Sequence, residues 1–238
     1  YYGGVVVATI SAFGDSILKG VTMSEGRYVV SRPWDQPPLA GRPFSLDLHA
    51  KFGATIEGGR SMLEHQLARG GLGSYTLFEF GGNDSDFDWK TVAGQPDAEH
   101  DCHTPPARFT AIYGSLIDRA REMGSTPILM TLPPIDPQRY LDWVTRGGID
   151  RAAILHWLGD VNAIYRWQEY YSLLVRELAH DKDCLLLDVR ARFLSRPRYL
   201  ADRLSADGIH PSPQGQQTIM EAVRAFAREL VEREQTTA

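Results

Sequence analysis

Short apolar runs separated by helix-length amphipathic segments constrain this chain more than any other feature of its sequence. The runs at 5–13, 54–56, 76–80, 127–131 and 185–189 are short, several of them continuous, and each leads into Gly, Pro, Asp or Asn. Runs bounded by turn residues in this way read as strands buried on both faces of a parallel sheet. Between them, 44–52, 60–69, 106–123, 161–179 and 213–233 carry helical character. The last is the clearest, with Ile219, Val223, Phe226 and Leu230 on one stripe behind a Ser212-Pro213 start. Strand–helix alternation predicts an α/β sandwich with right-handed crossovers. No repeat or linker divides the 238 residues, so a single domain over 1–238 is expected.

Composition narrows the partners. A content of 43% hydrophobic and 23% charged residues suffices for a full core. The net charge of −5, with no Lys/Arg cluster, argues against nucleic acid or an anionic membrane surface and for a small neutral ligand. No apolar run reaches the roughly eighteen residues of a membrane span. The run at 5–10 is too short for a signal peptide and lacks a basic flank. Cys102 and Cys184 make no disulfide framework and favour a reducing compartment. A cytoplasmic location is therefore expected, with secretion left open if a leader has been removed.

Three stretches, 21–43, 83–105 and 133–158, fit neither period and are long for α/β connections. In open α/β sheets such loops gather at the carboxyl ends of the strands, where ligands bind. Three short motifs map to that edge. Gly14-Asp15-Ser16 follows the first run, Gly81-Gly82-Asn83-Asp84 follows the run at 76–80, and Asp207-Gly208-Ile209-His210-Pro211 precedes the last helix. Asp15 or Ser16 alone reads most simply as a helix cap. Together the motifs supply a hydroxyl, an imidazole with a carboxylate one turn away, and a side-chain amide, the parts of an acyl-transfer site. The imidazole takes the serine proton only if a carboxylate fixes its tautomer. A helix starting at Ser16 would add a backbone N–H and the positive end of its dipole.

These motifs, in this order over nearly the whole chain, resemble the GDSL/SGNH hydrolases, a family of serine esterases, lipases and carbohydrate deacetylases. The resemblance implies a flavodoxin-like fold, a three-layer α/β/α sandwich with about five parallel strands. It implies Ser16 as nucleophile, His210 as general base, Asp207 as the acid that orients it, and Ser16, Gly58 and Asn83 as oxyanion donors, with no cofactor. Gly58 rather than Gly59 aligns with the family's glycine after a short strand, and Ile17 replaces the usual leucine. Glu79 stands where an aliphatic residue is expected, and a buried carboxylate there needs an arginine or a loop as partner.

Rival readings are weaker. No G-x-S-x-G elbow is present, which removes the α/β-hydrolase alternative. Asp84, Asp86 and Asp88 suggest a calcium loop, but Trp89 and Gln95 occupy the positions that need Gly and Glu. His100, Cys102 and His103 lack a fourth ligand at recognisable spacing, so no metal is expected. A non-catalytic binding protein built on the same fold is the remaining alternative. For the substrate, Tyr28, Trp34, Phe87, Trp89, Tyr140, Trp143 and Trp157 stand among polar residues in the long loops. Rings beside hydrogen-bonding groups suit a short-acyl, carbohydrate-borne ester, with Asp15, Trp89 and Trp143 as substrate-binding candidates. A lipase-like or thioesterase-like enzyme for longer chains is the alternative.

Overall fold

The computed structural model describes residues 8–31 and 44–237. A five-stranded sheet, ordered β4-β1-β5-β6-β7 and parallel throughout, forms the centre. Its strands are β1 (Ala8–Gly14), β4 (Phe44–Ala50), β5 (Tyr75–Glu79), β6 (Thr126–Met130) and β7 (Leu185–Leu187). The hairpin of β2 (Val21–Ser24) and β3 (Arg27–Val30) lies outside this sheet.

Strand alternation assigns each face of the sheet its helices. Phe13, Phe78 and Leu129 pack against α1 (Ile56–Arg69), α3 (Pro106–Glu122) and α6 (Asn162–Asp181). Ala12, Leu77, Ile128 and Met130 face α7 (Val189–Leu194) and α9 (Pro213–Thr237), through Phe193, Ile219 and Val223 among others. Both faces are covered, as a parallel sheet requires. A third cluster joins α2 (Trp89–Gly94), α4 (Pro137–Thr145) and α5 (Arg151–Leu158) around Trp89, Tyr140, Leu141 and Ile154. The short α8 (Tyr199–Asp202) completes the elements.

The three-layer expectation holds, with one exchange of elements. The stretch expected as a helix at 44–52 is the edge strand β4, and the run expected as a strand at 54–56 is the entry to α1. In "FSLDLHA" polar residues alternate with apolar ones, a strand period at the border of the sheet. Three apolar residues cannot by themselves distinguish a strand from a first helical turn. The loops at 83–105 and 133–158 contain α2, α4 and α5, and the loop at 21–43 contains the hairpin. Trp34 lies outside the described residues. Among these residues no helix is long and apolar enough to cross a membrane, and Cys102 and Cys184 are both free thiols.

Candidate active site

The carboxyl ends of β1 and β5 are neighbours, and Gly14 and Glu79 are paired in their register. A side chain at Gly14 would strike Leu18 Cβ at 2.7 Å and Glu79 O at 3.0 Å, so only glycine lets the chain turn here. Beyond it, Lys19 N–H bonds Asp15 O at 3.0 Å and Val21 N–H bonds Ser16 O at 2.9 Å. This is one tight turn that feeds β2. The helix expected after Ser16 does not form, and no helix dipole acts on its hydroxyl.

The second piece arrives just before α9. Gly208 has φ +76, and a Cβ there would lie 2.6 Å from Asp136 O, so glycine is required in this turn. Asp207 Oδ1 accepts the N–H groups of Ile209 and His210, both at 3.1 Å, which folds the carboxylate under the ring. His210 Nδ1 then donates to Asp207 Oδ2 at 2.5 Å, and His210 Nε2 lies 2.9 Å from Ser16 Oγ. All three side chains are buried. Burial opposes the charge on Asp207, but the His210 bond and charge and the two N–H groups outweigh it and hold the carboxyl below its ordinary value. With Nδ1 as donor, the lone pair on Nε2 is free to take the hydroxyl proton.

Two rings that sequence reasoning did not connect to the imidazole flank it. Tyr28 of β3 meets it edge-on with centroids 5.0 Å apart, and Phe52 stacks at 5.6 Å. The Tyr28 phenol is pushed up to about 12 by burial and by the Asp207 carboxylate, with which it shares a hydrogen bond. Nothing in the sequence pattern marks Phe52.

Asn83 follows β5 as expected and faces Asp15. Its amide donates to Asp15 Oδ2 at 2.8 Å and to Ala54 O at 3.1 Å, so both hydrogens are engaged. Asp15 Oδ1 accepts Ile17 N–H at 2.8 Å, so both of its oxygens organise the site rather than stand free for a ligand. Gly58 falls in the first turn of α1, beside a separate hollow lined by His49, Ser61 and His65 and away from Ser16. The glycine at the end of β4 is Gly53, with φ +73, next to the Phe52 that stacks on His210. Glu79 is buried without an arginine and bonds a loop, accepting Asp15 N–H and Leu18 N–H.

A cavity of about 560 Å³ opens from Ser16, Asn83 and His210. Its wall is mainly apolar, with Phe87, Leu132, Ile135, Trp157, Ile164 and Trp167. Trp89 also faces it, with its Nε1 bonded to Asp86 at 2.9 Å. Trp143 does not reach it and instead packs against Tyr28, with the Arg146 guanidinium 3.2 Å above its ring. The acidic loop residues serve the fold. Asp84 accepts Ile56 N–H at the start of α1, Asp86 accepts the Tyr140 hydroxyl at 2.6 Å, and Asp88 caps α2. His100, Cys102 and His103 bond Gln95 O, the Tyr171 hydroxyl and Asn83 O, respectively. Among the described residues no three His, Cys, Asp or Glu side chains converge to hold a metal ion.

Comparison with known proteins agrees with this architecture. No curated protein sequence matches the chain. A lipase/acylhydrolase from Enterococcus faecalis superposes with a TM-score of 0.60 at 20% identity, over 95% of this chain and 97% of the other. Axe2, an acetylxylan esterase from Geobacillus stearothermophilus, gives 0.63 at 16% identity over 94% and 95%. TesA gives 0.58 at 20% identity over 93% and 99%. Residues 12–218, from β1 through the Asp207–His210 turn into α9, match the sequence profile of the GDSL-like lipase/acylhydrolase family, and the chain is an ester hydrolase belonging to that family.

Proposed function

We propose that Ser16 is the nucleophile of a carboxylic ester hydrolase that works through an acyl-enzyme, within one domain that spans the chain. Ser16 Oγ attacks the ester carbonyl while His210 Nε2 takes its proton, and Asp207 stabilises the imidazolium. The tetrahedral oxyanion collapses, and His210 returns the proton to the leaving alcohol. Water, deprotonated by the same imidazole, then attacks the acyl-Ser16 carbonyl and releases the acid. The backbone N–H of Ser16 and that of Gly53 are the oxyanion donors in this reading, joined by the Asn83 amide once the oxyanion draws the hydrogen now bonded to Ala54 O. Gly53 takes the place expected for Gly58 because it lies at the end of β4, next to Phe52 and His210.

The observation that carries the proposal is the unbroken Asp207–His210–Ser16 hydrogen-bond chain at the mouth of an apolar cavity. A volume of about 560 Å³ is in the range that holds a drug-sized ligand and far exceeds an acetyl group. Its lining favours a medium-length or aromatic acyl group over the short acyl expected from the loop composition. The second reading, an acetyl ester on a carbohydrate, is supported by the exposed rings of Tyr28 and Phe52 beside His210 and by the likeness to Axe2. A series of acetyl, butyryl, hexanoyl and octanoyl esters, with acetylated xylo-oligosaccharides, separates the two. Hexanoyl or octanoyl esters are expected to exceed acetyl esters by about tenfold or more in kcat/KM, about 1.4 kcal/mol. The reverse order favours the carbohydrate reading. A fluorophosphonate is expected to label Ser16, and absence of both labelling and turnover sinks both readings.

A further inference from the structure

Glu79, the last residue of β5, has no exposed surface. Its Oε2 accepts backbone N–H groups on both sides of Ser16, from Asp15 at 3.2 Å and Leu18 at 3.3 Å. Its Oε1 is buried, and no donor N–H or O–H reaches it. The Glu79 and Asp15 carboxyls also lie close enough to interact, and Asp15 is only 2% exposed. Two ionised carboxylates are both acceptors only, so a hydrogen bond between them requires a proton. Placed on Oε1, that proton turns an unmet acceptor into a donor to Asp15.

The surroundings favour Glu79 as its holder. Burial first, and then the charge of Asp15, push the Glu79 carboxyl well above its ordinary range. Asp15 is raised as well, by burial, but the Ile17 N–H, the Asn83 amide and the charge of His210 all favour its ionised form. The other titratable groups facing the pair are Asp84 beside Asp15 and Tyr113 from α3, whose hydroxyl donates to Phe78 O.

We propose that Glu79 is a positioning residue that works as a neutral acid. Its Oε2 clamps the backbone on both sides of Ser16, and its Oε1–H fixes the Asp15 carboxylate that in turn aims the Asn83 amide. Loss of the proton at high pH sets two carboxylates against each other directly beneath Ser16, and turnover falls. The proposal rests on the reading of Ser16 as nucleophile.

The test compares Glu79→Gln and Glu79→Leu with the wild-type enzyme. Glutamine keeps both an acceptor for the two N–H groups and a donor to Asp15, but it does not titrate. Glu79→Gln is expected to retain kcat within about threefold and to lose the alkaline fall in kcat that the wild type shows. Glu79→Leu is expected to lower kcat by about 100-fold with little change in KM, the scale of a misplaced reacting group. An infrared band of a protonated carboxylic acid, recorded at about pH 8 where Asp84 is ionised, should be present in the wild type and missing in Glu79→Gln.

Equal losses in the glutamine and leucine variants would overturn the proposal, because a charge is then required. An unchanged alkaline limb or an unchanged infrared band in Glu79→Gln would also overturn it, and these readings stand even if Glu79→Leu fails to fold. A wild-type protein that neither cleaves esters nor labels at Ser16 refutes the hydrolase reading, while the infrared band still reports on the proton.

Discussion

Asn83→Ala removes an amide whose two hydrogens are bonded to Asp15 Oδ2 and Ala54 O. From the sequence alone, turnover should fall with the melting temperature unchanged, since an oxyanion donor acts on charge present only in the transition state. The structure alters the second half of that expectation. The amide ties the β1 loop and the entry to α1 to the loop after β5. A bond to a charged acceptor is worth about 1.5–3 kcal/mol and one to a carbonyl about 0.5–1.5, so about 2–4.5 kcal/mol is lost. For a chain of 238 residues this lowers Tm by roughly 5–15 °C. In parallel, kcat should drop by about 10²–10³-fold with KM nearly constant. Calorimetry gives Tm, and steady-state kinetics well below it give kcat and KM on the best ester. A lowered Tm with kcat preserved would show that Asn83 only shapes its loop. Lost turnover with an unchanged Tm would refute the two-bond account.

Asp207→Asn should reduce kcat by about 10⁴-fold, because an amide facing Nδ1 drives the imidazole proton to Nε2, where the Ser16 proton must go. Asp84, pushed up to about 6 mainly by burial, holds its proton more tightly when folded than when unfolded, with an ordinary value of 3.8. Stability should therefore fall as pH rises from about 4 to 6 and level off above, by at most about 3 kcal/mol from this group. Urea titrations across that window should show the slope reduced in Asp84→Asn. Asp84→Ala, which strands the Ile56 N–H, should cost about 1–3 kcal/mol. Ile164→Trp fills the cavity and should lower kcat/KM for octanoyl esters at least about tenfold while leaving acetyl esters within about twofold; equal effects on both would place the acyl chain elsewhere.

The inner strands and the Asp207–His210 contact are legible in the sequence because each depends on local signals: buried runs, turn residues and a carboxylate one turn from a histidine; Ser16 joins them only through the order of the motifs. The β4–α1 segment is not. An edge strand with Ser45, Asp47 and His49 at alternate positions lacks the continuous apolar character of the inner strands. Once 44–52 reads as a helix, the glycine that follows the strand shifts from Gly53 to Gly58. The cavity misleads for a different reason. Its apolar wall is assembled from Phe87, Leu132, Ile135, Trp157 and Ile164, which lie on separate segments, so no contiguous aliphatic run announces it. Glu79 reads as an anomaly in the sequence, and only the structure shows what it bonds.

The β2–β3 hairpin ties the candidate site to a ribbon whose outer strand is exposed along its whole length. A two-stranded ribbon has little stability of its own. All four β3 side chains are exposed, and the bonds holding its ends include Ser31 N–H to Gly20 O and the Gln216 amide to Val21 O. Yet its Tyr28 packs against His210 and shares a hydrogen bond with Asp207. Local opening of such a ribbon costs less than unfolding the sheet. Heat inactivation should therefore precede global melting, and the amides of residues 21–30 should exchange with solvent at the temperature where activity is first lost.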